Sequence, residues 1–286
     1  MSRGAGPRVP AAREVGDATR ISRGGPGGPR RPSFVASPRA PWLYGALLLV
    51  CRGILGALRF RLELRGAEHL PRASDGRPAG GWIAAGLPHR TWIDPFVLAL
   101  LLPLEPRIVF LGDARTMTRS PLRRALLRAI GGVVPIWPGG GPTAFDAHVA
   151  IAAGVVERGA IFALFPEVGP PVPIGTARPL SPGIGYIALR TGAPVVPLVL
   201  GGTHELYLRR HIVLQVLPPC DPRELAGLAP TAPYPVRGSR AEREAAHRIA
   251  AALHERTAAT VEEAWRAAEP RPGSARAWRW LTGILH

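Results

Sequence analysis

Apolar positions recur along this chain in short runs that switch between a two-residue and a helical period. Phe60 to Arg65 alternates apolar residues with Arg and Glu, the pattern of a half-buried strand, and the turn-forming Gly66-Ala-Glu-His-Leu-Pro71 closes it. Trp82 to Ala85 is a second short apolar run. Arg107 to Leu111 reads as a strand. Ser120-Pro121 then supplies an N-cap and a first-turn proline, predicting a helix with Leu122, Leu126, Ala129 and Ile130 on its apolar face and Gly131 at its end. Further along, Val133 to Trp137, Ile161 to Phe165, Pro194 to Leu200 and Ile212 to Leu217 predict strands. Thr143 to Arg158, Pro182 to Thr191 and Arg240 to Ala268 predict helices. This alternation predicts an α/β fold: a single domain over residues 61–270 with a mostly parallel central sheet flanked by helices.

The flanks read differently. Residues 1–40 hold Arg, Gly, Pro and Ala without an apolar period, the composition of a disordered basic tail. Trp42 to Phe60 is apolar except for Arg52 and Arg59. A spanning helix needs roughly 20 apolar residues with no central charge, and Arg52 interrupts this one. Residues 41–60 are therefore expected to form an amphipathic or re-entrant membrane helix, anchored by Trp42 and Tyr44, with a core helix of the soluble domain as the alternative. Residues 271–286 set Trp278, Trp280, Leu281, Ile284 and Leu285 among arginines, as in a second interfacial helix.

Composition adjusts this picture in two ways. Hydrophobic residues make up 47% and mean hydropathy is +0.10, high for a chain with 33 prolines and 34 glycines, so a membrane contact fits. The net charge is +16, carried wholly by arginine because the sequence contains no lysine. In a chain this rich in Ala, Gly and Pro, part of that charge reflects GC-rich coding. What remains favours anionic partners such as phospholipid headgroups and phosphorylated substrates. No nucleic-acid motif accompanies the charge, so a nucleic-acid partner is not expected, although a basic non-catalytic binding protein is the competing class. Cys51 and Cys220 are too few for a disulfide framework or a metal cluster, and a reducing compartment fits.

The residues suited to chemistry begin at His89-Arg-Thr-Trp-Ile-Asp94. On one helix, His and Asp five apart would point to different faces. Asp94-Pro95 instead reads as a helix N-cap followed by a first-position proline, with His89 in the preceding loop. A turn there brings the carboxylate to one ring nitrogen and leaves the other to accept a proton. Alone, the pair is better explained by a helix cap and an ordinary loop histidine. Other features are weaker still. Thr203-His204-Glu205 lacks a second histidine at helical spacing and reads as structural. No Gly-x-Ser-x-Gly elbow is present, and Gly139-Gly-Gly-Pro142 lacks the Lys-Ser/Thr of a phosphate-binding loop. No metal site is expected.

The order of four segments changes the weight of the pair. Gly66-Ala-Glu-His-Leu-Pro71, Pro88-His-Arg-Thr-Trp-Ile-Asp94, Phe165-Pro-Glu167 and Ala193-Pro-Val-Val-Pro-Leu-Val-Leu-Gly-Gly-Thr-His-Glu-Leu206 follow one another as in the glycerophospholipid acyltransferase family, which the chain resembles, the lysophosphatidic acid acyltransferases above all. The resemblance implies acyl transfer to the free hydroxyl of a lysophospholipid, most readily 1-acyl-glycerol-3-phosphate, in phospholipid biosynthesis. The donor would be acyl-coenzyme A or acyl carrier protein, with no cofactor, at the cytoplasmic face of a membrane. It implies that His89 is the general base and Asp94 its orienting partner. Glu167 would organise the acceptor site, and Val195 to Val199, including Pro197, would shape it. Two departures bear on the acceptor. Val168-Gly-Pro170 stands where the family has Gly-Thr-Arg, and Ile130-Gly-Gly-Val-Val-Pro-Ile-Trp-Pro138 lacks the family's arginine. Arg178, Arg115 and Arg119 are the substitutes for the missing cations, because a guanidinium can grip phosphate from another chain position. A less anionic acceptor is the alternative.

Overall fold

Apolar runs bounded by turn residues are buried on both faces when they pair in parallel, and the strands of this chain do so. The structure, a computed structural model, describes residues 41–117, 121, 132–136 and 141–268. The expected basic tail, the helix after Ser120 apart from Pro121, Arg119 and the segment 271–286 lie outside the described residues. The strands are β1 (Arg61–Arg65), β2 (Trp82–Leu87), β3 (Ile108–Asp113), β4 (Val133–Ile136), β5 (Ile161–Leu164), β6 (Val195–Gly201) and β7 (His211–Val216). They form a seven-stranded sheet in the order β1-β7-β6-β2-β5-β3-β4.

All neighbouring pairs are parallel except β6 with β7, which run antiparallel from Leu198 opposite Val216 to Gly201 opposite Val213. The reason is chain length. Only the short segment from Gly202 to Arg210 joins β6 to β7, whereas a parallel return needs a crossover of about a dozen residues or more. The exposed edge strand β1 carries Arg61, Glu63 and Arg65, charges that disfavour further strand addition.

Alternate residues along each central strand face opposite layers. On one side Ile83, Ala85, Leu87, Phe162, Leu164 and Val195 pack against α4 (Gly141–Glu157), α5 (Gly183–Thr191) and α7 (Arg240–Ala267). On the other, Trp82, Ala84, Ile161, Ala163, Val196 and Leu198 meet α2 (Asp94–Leu101) and α1 (Pro41–Ala57). A short α3 (Ala114–Met117) follows β3. The apolar pattern misses both α3 and the short α6 (Pro222–Leu225); the signal of α6 is chemical, since Asp221 accepts from the Arg223 N–H and Pro222 occupies the first turn.

Helix α7 begins on a variant of the capping box, in which the N3 glutamate accepts from the residue before the cap. Ser239 Oγ accepts from the Glu242 N–H at 3.0 Å, and Glu242 Oε2 accepts from the Gly238 N–H at 2.6 Å. Glu242 is buried and also receives Arg190 of α5, whose Nε lies 2.8 Å from Oε1 and whose Nη1 reaches Asp146 of α4 at 2.7 Å. One guanidinium thus joins three helices. Burial pushes the Glu242 carboxyl up, but Arg190 and the Gly238 N–H outweigh it and hold it below its ordinary range.

The described residues contain no helix long and apolar enough to cross a membrane. Helix α1 packs through Tyr44 and Leu55 onto the α2 layer. Tyr44, read from sequence as an interfacial anchor, is instead buried at 6% exposure beneath the Arg107 guanidinium, 4.6 Å from its ring, and burial raises its hydroxyl pKa to about 12. Trp42, Leu49, Val50 and Ile54 remain exposed on α1, with the exposed Arg52 among them.

Candidate active site

Three adjacent strands, β6, β2 and β5, end side by side, and the segments that follow them meet. In open parallel sheets this carboxyl end is where ligands are bound. Pro88 and His89 follow β2, Phe165 to Glu167 follow β5, and Gly202 to His204 follow β6.

His89 Nδ1 lies 2.9 Å from Asp94 Oδ2. The same oxygen accepts the N–H of Arg90 at 2.7 Å and of Thr91 at 2.8 Å. The sequence led us to expect Asp94 as the N-cap of its own helix. The cap is Ile93, with no side-chain cap bond, and Asp94 is the first helical residue. Its carboxylate turns back and closes the 89–91 loop, because the upstream N–H groups would otherwise be buried without partners. Thr91 Oγ1 donates to the Thr203 carbonyl at 3.0 Å, fastening this loop to the end of β6.

The consequence for His89 is chemical. Oδ2 already takes two backbone donors and is wholly buried, so its ring partner is a donating Nδ1–H, which leaves Nε2 with a lone pair. The imidazole is 46% exposed and reachable by substrate. Its plane is fixed by Phe165, stacked at 4.3 Å between centroids and 21° between planes. That stack requires Gly86 on β2: a Cβ there would meet Phe165 Cε1 at 2.6 Å. Glu167 holds the same loop from the other side, Oε2 accepting the His89 N–H at 3.0 Å, while its buried Oε1 has no hydrogen-bond partner. No group of three His, Cys, Asp or Glu side chains among the described residues is arranged to hold a metal.

The model of the acyltransferase family matches residues 61–201, which run from β1 to the end of β6 and contain His89, Asp94, Phe165 and Glu167. Residues 61–201 form a domain of the acyltransferase family. No curated protein sequence matches this acyltransferase. Its fold is similar to that of the crystal structure of the 1-acyl-sn-glycerophosphate (LPA) acyltransferase PlsC from Thermotoga maritima. The TM-score is 0.54 at 18% identity, over 80% of this chain and 81% of that one.

Of the residues singled out from the sequence of this acyltransferase, His89, Asp94 and Glu167 are brought into one hydrogen-bonded group. Pro197 is buried within β6 opposite Ala85, and its carbonyl accepts the Leu217 N–H at 3.0 Å. Arg178 sits where the 166–168 and 179–181 segments pair. Its Nη2 donates to the Gly169 carbonyl, and its own carbonyl accepts from His254 Nδ1 of α7 at 3.1 Å. It therefore ties the base of the 169–178 loop to the domain, and none of these bonds reaches His89, Asp94 or Glu167. Arg115 is exposed at the end of β3, where its N–H donates to Asp113 Oδ1 at 2.8 Å.

Two further residues lie at the site: Arg90, which the sequence left unassigned, and His204, which it read as structural. Arg90 and His204 line one recess together with Pro88, Thr203, Gly175 and Trp265. Burial first, then Arg210 and Arg90, push the His204 imidazole down to about 4, so it is neutral near pH 7. Arg90 stood in the motif itself; its signal was a cation next to the proposed base. His204 had no local signal, because its value comes from β6 lying beside β2.

Proposed function

We propose that the protein transfers a fatty acyl group from a thioester, acyl-coenzyme A or acyl carrier protein, to the free hydroxyl of a lysophospholipid, 1-acyl-glycerol-3-phosphate being the leading acceptor. The observation that carries this reading is the His89–Asp94 contact at 2.9 Å, with Oδ2 committed to donors and Nε2 left as base. Nε2 removes the proton of the acceptor hydroxyl as its oxygen attacks the thioester carbonyl. The imidazolium formed is stabilised by the Asp94 carboxylate. Collapse of the tetrahedral intermediate breaks the C–S bond, and the imidazolium returns the proton to the departing thiolate. Phe165 keeps the ring in plane throughout. Glu167 Oε1, without a partner, is suited to accept a hydrogen bond from the acceptor.

The lipid acceptor is reached from a membrane surface at the cytoplasmic face, with Trp42, Leu49, Val50 and Ile54 of α1 as the contact and Arg52 at headgroup level. Incubation of the purified protein with labelled acyl-coenzyme A and a panel of lysolipids tests the reading. Labelled phosphatidic acid from lysophosphatidic acid is the expected product. Label on a neutral acceptor alone would replace that acceptor assignment, and no lipid product from any acceptor would end the proposal.

A further inference from the structure

The recess beside His89 holds a guanidinium that the His89–Asp94–Glu167 group does not use. Arg90 enters it from the residue next to His89. Its Nη2 donates to the Thr176 carbonyl at 3.0 Å, and its other guanidinium donors make no hydrogen bond among the described residues. Gly202, Thr203 and His204 form the opposite wall.

Behind that wall lies Arg210, fully buried. Its Nε donates to the Gly202 carbonyl at 2.7 Å and its Nη1 to the Tyr207 hydroxyl at 2.6 Å, while Nη2 is buried with no partner. Native proteins seldom leave a buried charged donor unpaired without a ligand or a water to satisfy it. The neutral imidazole of His204 feels both arginines and adds a ring N–H that can donate without adding charge. Gly175 and Trp265 form the fourth side, which is held in place. Gly175 packs so closely on Trp265 that a Cβ would meet the indole at 1.9 Å, and Arg90 grips the adjacent residue.

We propose that Arg90 and His204 form a phosphate-binding subsite beside His89, with Arg90 making the direct contact and the buried Arg210 adding positive charge from behind Gly202. The inference rests on the acyl-transfer reading for its placement next to the reacting hydroxyl. Both substrates of that reaction bring phosphate: the acceptor as a monoester, and coenzyme A in its nucleotide. The shared chemistry is a phosphate oxygen accepting from a guanidinium. The two family arginines missing from Val168-Gly-Pro170 and from the segment Ile130 to Pro138 leave that task open in this chain. Arg178 is turned toward Gly169 instead.

The test compares wild type with Arg90→Gln and Arg90→Lys. The backbone N–H that Arg90 gives to Asp94 survives in both variants. One series uses lysophosphatidic acid against 1-monoacylglycerol, which lacks the phosphate. A second uses acyl-coenzyme A against the acyl-pantetheine thioester, which lacks the nucleotide phosphates. Arg90→Gln is expected to lower the preference for the phosphate-bearing acceptor by about tenfold to a hundredfold, the usual loss for a charge-assisted contact, with Arg90→Lys recovering part. A change confined to the second series supports the subsite and assigns it to the donor. An unchanged ratio in both overturns it. Calorimetric binding of glycerol 3-phosphate and of coenzyme A requires no turnover. If wild type transfers to no acceptor yet binds one of these and Arg90→Gln does not, the acyl-transfer reading fails and the subsite stands. Equal binding of both probes by wild type and Arg90→Gln overturns the subsite.

Discussion

Replacing Asp94 by Asn tests the mechanism most directly, because one oxygen of Asp94 does two jobs. Oδ2 accepts the N–H groups of Arg90 and Thr91 and faces His89 Nδ1. An Asn must put its amide oxygen there, since the amino group would confront two backbone donors. The loop and the tautomer are then kept, and what disappears is the negative charge that stabilises the imidazolium. Turnover is expected to fall by about 10² to 10⁴, or about 2.7 to 5.5 kcal/mol of barrier. Exchanging charge-assisted for neutral hydrogen bonds at this buried residue costs about 1 to 3 kcal/mol of stability, so Tm must be measured alongside. His89→Ala separates the effects: its ring is 46% exposed, and Asp94 keeps both backbone donors. That variant should fold as wild type and lose transfer. The assay is thiol release from a saturating acyl thioester, with and without acceptor. An Asp94→Asn protein within about threefold of wild type in kcat, or a His89→Ala protein with normal turnover, would refute the base-and-orienter reading.

Three further outcomes follow from packing and charge. Arg190→Met strands buried Glu242 and is expected to cost about 3 kcal/mol in denaturant unfolding. The lowered pKa of Glu242 and of Asp146 means their stabilisation is present above the ordinary carboxylate range and lost as pH falls through the folded pKa, so the gap between mutant and wild type should close in acid; a pH-independent gap would reject the pairing. Gly86→Ala pushes on Phe165, and should lose about 1 to 3 kcal/mol of stability together with kcat, whereas unchanged values of both would show that the His89 stack does not matter. Leu49→Glu with Ile54→Glu, both on the exposed face of α1, should weaken sedimentation with anionic vesicles about tenfold or more without lowering Tm, and unaltered binding would place the lipid contact elsewhere. Deleting α1 is a poorer test, since it would bare the apolar layer that Tyr44 and Leu55 cover.

Most strands and helices were legible because their signal is local. A strand buried on both faces must be apolar throughout, as in Val195–Gly201, and a helix that covers it must repeat its apolar residues at helical spacing. The turn between His89 and Asp94 was legible for the same reason: Pro95 marks the helix start, and the loop before it has to bend. Local pattern could not say which way Asp94 would turn. The choice between capping its own helix and closing the loop behind it depends on which N–H groups burial leaves in need, and burial exists only once α2 lies on the sheet.

The same limit explains the strand order and the cations. Nothing in the period of β5 says that it inserts between β2 and β3, or that β6 takes the other side of β2. Those neighbours bring Phe165 onto the ring of His89, Glu167 to its backbone and His204 to the recess of Arg90. They also sort arginines that look alike in sequence, turning Arg178 to a loop carbonyl and burying Arg210 behind Gly202. From its residues alone the chain determined its elements and its fold class, and the resemblance carried by four ordered segments singled out the pair suited to move a proton. Which polar groups surround that pair was decided by tertiary packing, because hydrogen bonding and desolvation depend on distances between segments that no local spacing encodes.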